Sequence, residues 1–186
     1  GWEGVVNDTY EKAELLLSLG INVNLAPVCD VPYAATDYIY PRSFSTDAAA
    51  VSRYVGTVVR AMREKQLGSV LKHFPGYGGN VDTHTGIAVD NRPLSSFLNR
   101  DFLPFQAGAG AILVSHNIMA DVEKDIPSSL SPAVHRVLRD QLGFTGVIVT
   151  DDLSMGAVKA YAPNQSVGVA AVLAGNDLLC CTDYET

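Results

Sequence analysis

Short apolar runs alternate with amphipathic stretches along this chain. The runs are Ile21–Val28, Ser69–His73, Ala111–Ser115, Gly146–Thr150 and Asp177–Cys181, several of them rich in Val and Ile. That length and composition suit strands buried on both faces of a parallel sheet. The stretches between them read as helices. Tyr10–Leu19 carries Ala13, Leu16 and Leu17 at helical spacing, and Asp47–Gln66 sets Val51, Val55, Val58, Val59 and Met62 on one face. Pro93–Ala107 places a proline near a first turn. Ser131–Leu142 has Ser131 as N-cap, Pro132 at the first helical position and Gly143 as a stop, and Ser154–Ala174 is a last helix ended by Gly175.

Strand–helix alternation predicts an α/β fold with right-handed crossovers. An open doubly wound sheet and a (β/α)₈ (TIM) barrel share that pattern. The polar residues separate the two: Asp30, Lys72 with His73, His116, Asp151 with Asp152, and Asp183 each follow one of the five apolar runs. A ring of polar groups at the C-terminal ends of the strands is where barrel enzymes build their sites, whereas an open sheet gathers them at one switch point. The barrel is therefore expected. Only five strands are visible where eight are needed, and 186 residues fall short of the roughly 250 of a whole barrel. The chain opens in helical sequence and stops just after an apparent strand, so residues 1–186 are expected to be one partial barrel domain that needs the rest of its own barrel.

Charge narrows the partners. Thirteen basic against twenty acidic side chains leave a formal net charge of −7. Such a surface repels phosphate backbones and anionic head groups, so nucleic acid is a poor partner and a neutral glycan is compatible. No apolar run reaches the roughly 18–20 residues that span a bilayer. Cys29, Cys180 and Cys181 provide no disulfide framework and read as small buried hydrophobes. The compartment stays open, with cytoplasmic and secreted or lipid-anchored locations both compatible.

Two constellations carry chemistry. Lys72–Gly86 reads K-H-F-P-G-Y-G-G-N-V-D-T-H-T-G, a strand end entering a loop with Gly76, Gly78, Gly79 and Gly86, a design suited to movement. Asp82 and His84 are two apart and share one face of an extended segment. A carboxylate beside an imidazole fixes its tautomer and makes it a proton shuttle near neutral pH. The bland alternative is a polar loop whose Asp82 and Thr83 only form turn hydrogen bonds. Gly146–Gly156 reads G-V-I-V-T-D-D-L-S-M-G and brings two consecutive carboxylates to the rim. One can face the barrel mouth while Asp152 or Ser154 caps the helix that follows. Lys72, His73 and Arg42 are candidates to bind sugar hydroxyls, Arg42 following the aromatic Tyr33, Tyr38 and Tyr40. His116 is a candidate ligand, a hydroxyl donor or a satisfied rim histidine, and His135, inside a helix pattern, reads as structural.

These motifs together resemble glycoside hydrolase family three. V-L-R-D-Q-L-G-F-T-G-V-I-V-T-D-D-L-S (Val137–Ser154) is similar to the family's signature, and the Lys72–Gly86 loop to its bacterial β-N-acetylhexosaminidase branch. N-V-N-L-A-P-V-C-D-V and P-R-S-F, between Asn22 and Phe44, resemble that branch as well. The resemblance implies Asp151 as nucleophile, His84 paired with Asp82 as acid/base, and Arg42, Lys72 and His73 as sugar-binding groups. Tyr77 stands where the family commonly has histidine, and Gly79–Asn80 replace a more acidic stretch, which bears on specificity. The resemblance places most of the missing barrel before Gly1 and one strand after Thr186.

The activity implied is a retaining removal of terminal β-linked N-acetylglucosamine through a glycosyl-enzyme, with no metal or organic cofactor and with movement of the Gly76–Gly86 loop. A family-three β-glucosidase would share Asp151 but would not need Asp82-Thr83-His84. A metal-dependent barrel hydrolase would instead use Lys72, His73, His116 and Asp151 around zinc.

Overall fold

Strand alternation decides how this sheet is packed. A computed structural model describes residues 1–80, 86–163 and 165–183; Asp82 and His84 lie outside the described residues. In chain order the elements are α1 (Trp2–Ser18), β1 (Val23–Asn24), α2 (Ala48–Glu64), β2 (Gly68–Phe74), β3 (Val89–Asp90), α3 (Leu94–Ser96) and β4 (Ala111–Val114). There follow β5 (Ile118–Met119), α4 (Pro132–Arg136), β6 (Val147–Asp152), α5 (Gly156–Lys159), α6 (Val167–Ala174) and β7 (Leu178–Cys180). Five strands form one sheet in the order β1-β2-β4-β6-β7, each neighbouring pair parallel. β3 and β5 make a separate short parallel pair. The large sheet is a curled half of a (β/α)₈ barrel, as the apolar runs predict.

Successive side chains of a strand point to opposite faces. Leu71, Ile112 and Ile148, which lie side by side in register, pack outward with Val51, Val55 and Val59 of α2 and with Phe74, Phe97 and Phe102. Val70, Leu113 and Val149 form a second cluster on the other face. Both faces are buried, which explains why the runs read as continuously apolar. α2 starts where Asp47 accepts a hydrogen bond from the Ala49 amide at 2.8 Å. Its valines recur at helical spacing, and each buried one contributes roughly 1.5–3 kcal/mol.

Three expectations about elements need correction. Of Ile21–Val28 only Val23–Asn24 is regular strand; the Ala26 and Pro27 carbonyls still accept the Val70 and Lys72 amides and Val28 bridges to Lys72, but Pro27 has no N–H to give. Pro93–Ala107 is three pieces: α3, a π-turn at Phe97–Asp101 and a 3₁₀ turn at Leu103–Gln106 that contains Pro104. Ser154–Ala174 divides into α5 and α6, with Pro163 between them and Ser166 capping α6. Ser131 caps α4 as expected, and His135 is buried with Nδ1 on the Ser131 carbonyl at 2.8 Å. No helix among the described residues is long and apolar enough to cross a membrane.

Candidate active site

The polar groups at the C-terminal ends of β1, β2 and β6 meet. Asp30 is buried, and its carboxylate accepts three hydrogen bonds: from the His73 amide (3.1 Å), from His73 Nδ1 (2.8 Å) and from the Tyr77 amide (2.7 Å). Arg42 Nη2 lies 3.3 Å from His73 Nε2. A guanidinium only donates, so Nε2 accepts and Nδ1–H is given to Asp30. The Tyr77 ring meets the imidazole edge-on at 5.4 Å. His73 is thus fixed in orientation and tautomer by a residue from each side.

Lys72 follows Val70 by two positions on β2, as Asp151 follows Val149 on β6, so alternation carries both to the face opposite the helices. Burial draws the Lys72 ammonium below its ordinary pKa, with Arg42 adding repulsion, while Asp151 and Asp30 pull it back up. These four groups therefore share one electrostatic neighbourhood. Asp151 Oδ1 accepts the Asp152 amide at 2.9 Å.

Asp152 is committed elsewhere. Its Oδ1 accepts the Ser154 amide (3.0 Å), the Ser154 hydroxyl (2.7 Å) and the Thr182 amide (3.1 Å), and Oδ2 accepts the Thr182 hydroxyl (2.6 Å). Burial alone would raise its pKa, but the donors of Thr182 and Ser154 outweigh burial and hold it at about 2. A depressed carboxylate stabilises the fold above its unfolded pKa, near 3.8, and loses that contribution as pH falls through the folded value. Asp152→Asn in the complete protein should therefore melt below the parent at pH 6. The gap should shrink between pH 4 and pH 2, and a gap that ignores pH would contradict this reading.

His116 was expected to meet substrate. It is buried, and both ring nitrogens have protein partners: Ser129 Oγ at Nδ1 (2.7 Å) and the Asp152 carbonyl at Nε2 (3.0 Å). A carbonyl only accepts, so Nε2 carries the proton and Nδ1 accepts from Ser129. Through these bonds His116 braces the segment after β4 against the end of β6. Among the described residues no group of three or more His, Cys, Asp or Glu could hold a metal ion.

Sequence reasoning overlooked an ion network beside the loop after β2. Arg92 grips Asp90 through Nε (2.9 Å) and Nη2 (2.7 Å), reaches Asp101 and the Tyr33 hydroxyl through Nη1 (2.9 and 2.8 Å), and lies over the Phe97 ring at 4.2 Å. Asp90 and Asp101 are both buried. Burial raises the Asp101 pKa against the pull of Arg92. Gly76 (φ +109°) and Gly78 (φ +54°) lie against this network, where an added Cβ would come 3.3 Å from Asp101 Oδ1 and 2.8 Å from Arg92 Nη2. These two glycines are therefore required by conformation and close packing, a different reason from the movement expected of the loop. The only sequence signal was Asp90-x-Arg92 followed by Asp101, which reads as ordinary surface charge.

Comparison with known proteins follows the same outline. The family model for the N-terminal domain of glycosyl hydrolase family 3 matches residues 5–186. A beta-hexosaminidase of Hydrogenovibrio crunogenus is 35% identical over 175 residues, covering 90% of this chain and 49% of that protein. One from Thiobacillus denitrificans is 35% identical over 184 residues, covering 95% and 51%. The solved family 3 β-N-acetylglucosaminidase of Paenibacillus superposes with a TM-score of 0.92 at 30% identity, over 100% of this chain and 37% of that one. The chain spans about half the length of the curated relatives it matches.

Proposed function

Because the chain belongs to glycosyl hydrolase family 3 through its N-terminal domain, we propose that it carries the nucleophile and most of the sugar contacts of a retaining β-N-acetylhexosaminidase, as one part of a single catalytic barrel domain. The observation that carries this reading is the unequal treatment of two adjacent carboxylates. Asp152 accepts four hydrogen bonds and holds the strand end, while Asp151, whose only described bond is to its neighbour's amide, shares the surroundings of Lys72 and Arg42. The substrate class comes from the relatives, which bear the name beta-hexosaminidase.

In the first step an Asp151 oxygen attacks the anomeric carbon as the glycosidic C–O bond breaks, and His84 gives its proton to the departing oxygen. In the second, His84 takes a proton from water, whose oxygen displaces Asp151, so one water is consumed and the configuration is retained. His84 is imidazolium when it donates and neutral imidazole afterwards, so in neither form does it bring the like-charge repulsion a second carboxylate would bring next to Asp151. Asp82 orients that imidazole. Lys72 and Arg42 hydrogen-bond the sugar hydroxyls, and His73, held by Asp30, braces the Arg42 guanidinium beside them. His116 acts on the Asp152 carbonyl and so sets the angle of β6.

The test is a paired assay of the complete protein on aryl β-N-acetylglucosaminide and aryl β-glucoside, repeated with His84→Ala. The acetamido sugar should be strongly preferred. His84→Ala should lose on the order of 10²–10⁴-fold on poor leaving groups and far less on activated ones, whose departure needs little protonation. Preference for the glucoside would make the protein a β-glucosidase, and equal losses on both leaving groups would remove His84 as the proton donor.

A further inference from the structure

The network around Arg92 sits apart from the groups that would touch sugar, yet it holds both ends of the segment that bears Asp82 and His84. On the incoming side, the stem Gly76–Asn80 rests on it: Gly78 lies on the guanidinium and Gly76 on Asp101. On the outgoing side, Asp90 closes the segment within β3, which is paired to β5. Asn80 Nδ2 joins the two by donating to Asp90 Oδ2 at 2.6 Å. The network also reaches the loop after β1, since Arg92 meets the Tyr33 hydroxyl and Arg100 lies over the Tyr33 ring at 3.9 Å while donating to the carbonyls of Val31 and Pro32.

We infer that Arg92 is a positioning residue of the hydrolytic site: it fixes the stem Gly76–Asn80 and Asp90 of β3, the described chain on either side of Asp82 and His84, and proton delivery by His84 depends on that hold. The inference rests on the proposed role of His84 as proton donor. Three observations argue for it. The guanidinium spends its donors on two buried carboxylates and a tyrosine hydroxyl and lies over Phe97, so its head is held from several sides and cannot swing away. Charge-assisted, bidentate contacts of this kind are short and geometrically demanding. The stem then uses that fixed head as a surface, and the missing Cβ at Gly78 is what lets the backbone come so close. An ordinary surface arginine would yield to a methyl group, whereas this one has nowhere to go. A displacement of the stem by about 1 Å is enough to cost on the order of 10²-fold in a positioned reaction.

The consequence is specific to proton delivery. In the complete protein, Arg92→Met should slow aryl β-N-acetylglucosaminides with poor leaving groups about 10²-fold, but activated ones less than about 10-fold, steepening the dependence of kcat/KM on leaving-group pKa. Gly78→Ala, which removes no charge, should steepen it in the same direction with a smaller loss, and His84→Ala run alongside fixes the slope of an absent donor. Circular dichroism melts report whether each variant folds. If Arg92→Met folds and slows every substrate by the same factor, the inference is wrong. If it does not fold, Gly78→Ala decides, and a wild-type slope there is equally fatal. A flat series for His84→Ala would remove the proton-donor reading itself and this inference with it, whereas a steep His84→Ala series beside flat Arg92→Met and Gly78→Ala series would remove the inference alone.

Discussion

Asp151→Ala in the complete protein should cut turnover of an aryl β-N-acetylglucosaminide by on the order of 10⁴-fold while leaving the melting temperature close to the parent's. The two halves of that expectation come from different facts. Loss of turnover follows if Asp151 makes the covalent bond, since no neighbour can replace it: Asp152 is tied into the turn by Ser154 and Thr182. Preserved stability follows because the side chain of Asp151 has one described bond, to the adjacent amide. Asp152→Ala should do the reverse. It strips partners from Ser154 and Thr182, at up to about 1 kcal/mol for each bond lost, so the protein should melt lower and retain more activity than Asp151→Ala. A mechanism-based fluorosugar followed by peptide mapping separates the two carboxylates directly. Label on Asp151 is expected, and label on Asp152 would overturn the assignment.

That division between neighbours is legible in the sequence. A strand delivers alternate side chains to alternate faces, so D-D at a strand end gives one carboxylate to the mouth and one to the wall. The same logic made the five apolar runs readable as five parallel strands, of which β2, β4 and β6 are buried. Asp30 shows where legibility thinned out. Its place after the first run was visible, but its use was not, because its partners His73 and Tyr77 are more than 40 residues away and meet it only once β1 and β2 are paired. His116 was legible only in part, for a related reason. The strand-end position was right, yet the Ser129 hydroxyl and the Asp152 carbonyl that occupy it come from other elements.

The Arg92 network was illegible for a different cause. Asp90 and Arg92 lie before the predicted Pro93–Ala107 helix and Asp101 within it, so no shared spacing ties the three together. The chain starts α3 at the Pro93 cap, then turns through a π-helical step at Phe97–Asp101 that carries Asp101 inward. A π-turn inserts a residue into the helical period, so spacing counted on 3.6 residues places the side chain on the wrong side. Gly76 and Gly78 are equally ambiguous in the sequence, since glycine's freedom and glycine's lack of bulk leave the same letter.

Residues 1–186 produced by themselves should self-associate and show no glycosidase turnover, whereas the complete protein should do neither. The argument begins at the edges of the half-barrel. Among the described residues β1 pairs only with β2 and β7 only with β6, so each presents an outer row of N–H and C=O groups. Unpaired edges of this kind template pairing with other chains. The apolar side chains beside them are also uncovered: Val23 on β1 is 50% exposed, Val172 and Leu178 are 55% exposed, and Leu173 reaches 71%. Ile21 and Leu25 flank β1 in the same condition. Covering six such side chains is worth roughly 5–9 kcal/mol at the usual value for a half-exposed hydrophobe. That is comparable with the whole stability of an ordinary domain, about 5–15 kcal/mol. A piece lacking that contribution should therefore elute larger than 19.8 kDa and bind a hydrophobic dye, and its site, built on strand ends that are no longer held, should not turn over. Light scattering and an aryl N-acetylglucosaminide assay on the same sample decide the matter. A monodisperse monomer with ordinary turnover would mean that this half-barrel closes its own edges and that the site needs nothing beyond it.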